Sequence, residues 1–234
     1  MIPRHVRLIA AIAPFVALIG CAERLYLPGG FDMTPVATMP LASDESQQRI
    51  AVAFNHSGGY NDDEANTSTE LSYTIGTGSP WSHAALKGFF YTGSYHIDGT
   101  YRGLSGSELF MGVGVMGDGH LAIPIGPVSI GIGGAIGVMG EFGPYTDAYR
   151  DPDETRVWPL FLGYYLFTAQ LDKRSELDLQ LGVGVPGYVY LTAAYFRDRW
   201  GANIGVGPSG DIDNDAEQES GIVGRITLGL SYGL

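Results

Sequence analysis

Five histidines, one cysteine and a run of alternating aspartates are the residues through which this chain could do chemistry. His56-Ser57, His96-Ile97-Asp98 and Asp118-Gly119-His120 each set an imidazole beside a hydroxyl or a carboxylate. Residues two apart share a face of an extended strand, so His96 with Asp98, and Asp118 with His120, are pairs that a strand brings together. A hydrolase or acyltransferase acting on lipid needs a Ser and a His within hydrogen-bond reach, with a third group to orient the base. Ser57, His56, His96 and Asp98 are the candidate catalytic set. Gly103-Leu104-Ser105-Gly106 is merely glycine-rich, and His83 and His120 read as turn residues. No catalysis is expected.

Asp211, Asp213 and Asp215, with Glu217 following, have the spacing of a calcium loop. An EF-hand needs Gly at its sixth position and Glu at its twelfth. Ala216 and Ile222 stand there instead, so these carboxylates read as an acidic loop of weak cation affinity. There is no second Cys and no His-x-x-x-His. No cofactor and no resident metal are expected.

The remaining candidate is Cys21. Arg4, His5 and Arg7 open the chain, and Leu8 to Ile19 form an apolar run that ends in Gly20-Cys21. This is the three-part plan of a secretory signal. Twelve residues at about 1.5 Å each reach roughly 18 Å, too short to cross a ~30 Å hydrocarbon core. Leu18-Ile19-Gly20-Cys21 resembles the lipobox of bacterial lipoproteins. The resemblance implies export through a Sec-type pathway, acylation of the Cys21 thiol with palmitate-like chains, and cleavage between Gly20 and Cys21. With no other cysteine, a disulfide framework is absent. Ala22, where an Asp would retain an enterobacterial lipoprotein in the inner membrane, implies sorting to the outer membrane.

Loss of residues 1–20 removes Arg4 and Arg7, so the formal charge of −12 becomes −14. That balance argues against nucleic acid and against charge-driven binding to anionic lipid. Residues 22–48 carry Pro28, Pro35 and Pro40 and a polar run from Ser43 to Gln48, an extended tether. The organisation read from the sequence is a signal peptide over 1–20, a lipidated tether over 21–48 and a β domain over 49–234.

From Arg49 onward the apolar pattern has period two, and helical periodicity is missing. Ile226, Leu228, Leu230 and Tyr232 alternate with Arg225, Thr227, Gly229 and Ser231; Leu177 to Val183 and Val128 to Val138 repeat the design. Such alternation requires a sheet with two different environments. Ten strands are expected, near 49–57, 68–76, 84–95, 107–125, 127–142, 157–170, 175–185, 187–196, 199–207 and 220–233. Eight or twelve are the alternatives, since Gly117-Asp118-Gly119 could break the fourth. The connections at 58–67, 96–106, 143–156, 186 and 208–219 fall at one end of an up-and-down sheet, and three of them are long and acidic. Those at 77–83, 126, 171–174 and 197–198 fall at the other end.

The second face decides what the aliphatic face meets. It is mainly Gly, Ser, Ala and Thr, with Glu70, Lys87, Glu176, Asp178 and Arg225 as rare charges. Water-facing strand surfaces are richer in charge, whereas small residues suit a narrow barrel interior, where the charges would form an ion-paired plug. Trp81, Trp158 and Trp200 at strand ends fit an interfacial girdle. The chain therefore resembles a lipid-anchored outer-membrane β-barrel of Gram-negative bacteria. The opening Cys21, Tyr26-Leu27-Pro28 and Pro40-Leu41 is similar to small lipoproteins of the Bacteroidetes kind. The terminal Leu230-Ser231-Tyr232-Gly233-Leu234 departs from the Phe or Trp that ends many such barrels. The resemblance implies an antiparallel up-and-down barrel, outer-membrane lipid and the barrel-assembly and lipoprotein-sorting machineries as partners, and a structural or surface-interaction role. A soluble tethered barrel holding a small apolar ligand, or a barrel enzyme acting on lipid, are the rival readings.

Overall fold

The computed structural model describes residues 46–58, 65–79, 81–97, 106–149, 156–185, 188–209 and 223–234. Ten strands run β1 (Gln47–Gly58), β2 (Ala65–Ser79), β3 (Ser82–Ile97), β4 (Gly106–Ile125), β5 (Val128–Phe142), β6 (Val157–Asp172), β7 (Ser175–Val185), β8 (Tyr188–Arg197), β9 (Trp200–Ser209) and β10 (Val223–Gly233). Each pairs antiparallel with its neighbours in sequence, and β1 closes on β10 with Val52 opposite Leu230 and Phe54 opposite Leu228. Closure leaves no sheet edge unpaired. The expected all-β, ten-stranded up-and-down barrel is the fold.

Gly117-Asp118-Gly119 does not break β4, which runs unbroken for 20 residues. The short connections are Gly126-Pro127, Lys173-Arg174, Asp198-Arg199 and residues 80–81. Gly126 at φ 65° and Asp198 at φ 52° supply the left-handed backbone that tight hairpin turns require. The connections at 59–64, 98–105, 143–156, 186–187 and 210–222 all lie at the other end, as the alternation predicts. One element was not expected: α1 (Pro144–Tyr149), a six-residue helix inside the 143–156 connection. It is under two turns long, too short for helical periodicity to register in the sequence.

Candidate functional site

The two faces of the wall differ in kind. Leu228, Leu230, Ile130, Ile132 and Leu121 point outward and are each more than half exposed. Exposed large apolar side chains outnumber buried apolar residues more than two to one. Between the strand ends no described outward position carries Asp, Glu, Lys or Arg; Arg197, at the end of β8, is the outward charge nearest the belt. Toward the short-turn end the outward aromatics include Tyr73, Trp81, Phe167, Tyr195, Trp200 and Tyr232, with Trp200 and Tyr232 meeting edge to face at 4.9 Å. Trp158 departs from the expected girdle. It turns inward and packs against a buried aromatic cluster.

The inward face packs large against small. Tyr91 stands directly across from Gly112, Tyr164 from Gly133 and Tyr190 from Gly182. Each ring occupies the space that a Cβ on its glycine would need. The glycine excess is therefore the floor on which the lumen's rings lie, a device that shields bare strand backbone. Charges sit among the rings. Lys87 Nζ meets Glu70 Oε1 at 2.6 Å with both side chains buried, which realises part of the expected internal ion-pair set. Arg49 was not foreseen in this set. It donates to Ser231 Oγ (3.2 Å) and to the Asp198 carbonyl (3.3 Å), and its guanidinium lies 5.0 Å from the centre of the Phe196 ring. Arg225 donates to the Val189 carbonyl at 3.2 Å.

At the long-loop end, α1 folds back over the wall. Tyr145 stacks on Tyr95 at 4.7 Å and tilts against Phe110, while Tyr91, Met139 and Leu160 complete the cluster. Beneath it Glu141 is fully buried. Its carboxylate accepts from Tyr91 Oη (3.0 Å) and from Thr146 Oγ1 (3.2 Å), so the helix is tied to both β3 and β5.

Toward the short-turn end, β3 and β4 bring three metal-ligating side chains together. His83 lies directly opposite His120 in the register, and their rings stack at 5.3 Å with 18° between planes. Asp118 is two residues before His120 on the same face. One ligand atom from each of the three lies within 4.8 Å of the others. Tyr164 Oη donates to Asp118, 2.9 Å from one carboxylate oxygen and 3.0 Å from the other. A cavity of about 760 Å³ opens beside the cluster, lined by His83 and His120 and also by the outward-facing Leu121 and Ile132. His83 and His120 are strand residues, not the turn residues that the sequence reading made of them. The Asp-x-His spacing was the available signal, and His83 entered only through register.

The other sequence candidates do not assemble. Ser57 is fully buried and faces the lumen, whereas His56 faces outward, its Nδ1 at 3.1 Å from Thr67 Oγ1. His96 is exposed on the same outer surface, 3.2 Å from Ser107 Oγ. Consecutive strand residues point to opposite faces, so Ser57 and His56 cannot serve one reaction centre from β1. Gly20, Cys21, Asp98, Asp211, Asp213, Asp215 and Glu217 lie outside the described residues.

No protein-family model matches the chain, and no curated protein matches it in sequence. Among solved structures it is similar to an outer membrane channel from Pseudomonas putida F1, at 10% identity over 90% of this chain and 100% of that one, with a TM-score of 0.38. It is also similar to the translocator domain of the autotransporter NalP from Neisseria meningitidis, at 11% identity over 87% and 90% of the two chains, with a TM-score of 0.37.

Proposed function

We propose that this protein is an outer-membrane β-barrel, tethered in addition by a lipid on Cys21, with a structural or surface-interaction role and no catalytic one. The observation that carries the reading is the uncharged outer wall. An Asp, Glu, Lys or Arg is costly in hydrocarbon and welcome in water, and the described outward positions between the strand ends avoid all four. The girdle of Tyr73, Trp81, Tyr195, Trp200 and Tyr232 places amphipathic rings where a headgroup layer would lie. The exposed bases Lys173, Arg174, Arg197 and Arg199 gather at the short-turn end, while the acidic connections 61–64 and 147–154 fall at the other. Short turns and the tether then face the periplasm, and the acidic loops face outward to meet surface partners.

The outward course of Leu228 and Ile130 runs against a soluble barrel that keeps its aliphatics for an internal ligand. Ser57 and His56 lie on opposite faces of the wall, which runs against the lipid-enzyme reading that paired them. Export through a Sec-type pathway rests on the 1–21 segment, and lipoprotein sorting on Ala22.

Two measurements test the proposal together. Unboiled protein extracted from outer-membrane fractions is expected to migrate differently on a detergent gel from boiled protein. Labelled palmitate is expected to enter the wild-type chain and not C21S, with C21S still requiring detergent for extraction. A C21S protein released into buffer without detergent would overturn the integral-barrel reading. Palmitate in C21S would overturn the assignment of the acylated residue.

A further inference from the structure

We propose that His83, His120 and Asp118 are the protein ligands of a site for one first-row divalent transition metal of the Zn²⁺ class, on the lumen wall near the short-turn end. Two strands supply it. The hairpin register sets His83 against His120, and strand alternation puts Asp118 on the same inner face. Zn–N and Zn–O bonds of about 2.0–2.2 Å hold ligand atoms roughly 3.2–4 Å apart. The three ligand atoms lie within 4.8 Å of one another, so small side-chain rotations complete the triangle.

A second observation points to a ligand. His83 is 94% buried, and its Nδ1 has no hydrogen-bond partner. A buried imidazole nitrogen without a partner carries a desolvation cost, which a metal bond removes. Asp118 is already oriented for the task, since Tyr164 holds its carboxylate in the way that second-shell donors orient metal ligands. Among the described residues Asp118 makes no ion pair, and Lys87 is bound to Glu70 at 2.6 Å.

The donor set selects the metal. Two imidazoles and one carboxylate suit Zn²⁺, Fe²⁺, Ni²⁺ or Cu²⁺ rather than calcium or magnesium, which take all-oxygen shells. Electrostatics agree: among the described residues the inward face carries Glu70, Glu108, Asp118, Glu141, Glu176 and Asp178 against Arg49, Lys87 and Arg225, so a dication offsets an excess of negative charge. Three protein ligands leave a fourth coordination position for water or a small ligand.

The test uses the full chain without a polyhistidine tag, folded in detergent micelles, stripped with chelator and titrated with Co²⁺ by visible absorption. One Co²⁺ per chain is expected, with d–d bands that Zn²⁺ then displaces. H120A is expected to abolish the bands and D118N to weaken binding at least tenfold, while H56A and H96A leave it unchanged. H83F keeps ring volume and the stack on His120 but offers no ligand atom, so its loss of Co²⁺ with unchanged heat-modifiable migration separates a lost ligand from a lost fold. Absence of saturable Co²⁺ binding in the wild type, or binding undiminished in H83F and H120A, would overturn the site.

Discussion

The Tyr91 ring lies flat on Gly112, its partner in the β3–β4 register, and its hydroxyl reaches across to the buried carboxylate of Glu141 at 3.0 Å. One tyrosine thus covers bare backbone and satisfies a buried charge. Since Tyr91 is fully buried, its ring has nowhere to swing. G112A should push the ring off and lengthen the bond to Glu141, at a cost of about 1–3 kcal/mol, the range for overpacked interiors. G133A beneath Tyr164 and G182A beneath Tyr190 should behave alike. Gly88 and Gly163 have open space around a built Cβ, so G88A and G163A should stay within ~0.5 kcal/mol of wild type. Urea titration of the heat-modifiable form measures both groups, and equal effects across them would contradict the packing.

Leu228 on β10 and Ile204 on β9 face each other outward near the middle of their strands. If hydrocarbon is their neighbour, L228R and I204R should each cost about 2–4 kcal/mol, the depth-dependent penalty for Arg on a barrel's lipid face. In water an exposed Leu to Arg change is close to neutral. Folding yield into lipid vesicles, with urea midpoints, distinguishes the two surroundings. A neutral result would remove the main support for membrane insertion.

Much of this architecture is written in period two. The face shared by Ile226, Leu228 and Leu230 is the outward one, and the face of Glu176, Asp178 and Gln180 is the inward one. The parity of connection lengths places every long connection at one end. What escapes single-sequence reading depends on register between strands. His83 and His120 become neighbours only because the pairing of β3 with β4 aligns them. Trp158 and Trp200 look alike as strand-end tryptophans, but one position's parity sends Trp158 into the lumen and Trp200 outward. His56 and Ser57 are adjacent in sequence and opposite in space for the same reason. α1 carries too few residues for its helical period to show, and its place is fixed by Tyr145 finding Tyr95 across the mouth.

Lys87 and Glu70 form a buried pair, with side chains 9% and 10% exposed. Removing one partner leaves the other charge uncompensated. K87M should therefore destabilise the barrel by about 3–5 kcal/mol, while the double change K87M/E70M should recover most of the loss, because paired removal leaves no orphan charge. The double-mutant cycle reads this directly from urea midpoints. Additive single effects would mean that the two side chains are not coupled.

The outer mouth is held by a carboxylate with two donors. Glu141 receives Tyr91 from the wall and Thr146 from α1, and Tyr145 beside Thr146 is clamped between Tyr95 and Phe110. Loss of the Thr146 donor alone leaves Tyr91 in place, so T146V should loosen the helix without opening the mouth. Loss of both the anchor and the wedge, in E141A/Y145S, releases α1 from the aromatic cluster. A ten-stranded lumen is only slightly wider than the side chains that fill it, so the gain should appear for ions and the smallest sugars and not for larger solutes. Liposome swelling and single-channel recording on the reconstituted full chain measure this. Wild type and T146V are expected to remain closed and E141A/Y145S to conduct. Steady conductance in the wild type would show that α1 does not seal the mouth, and a closed double variant would move the seal deeper, to the layer of Tyr164, Leu166 and Tyr190.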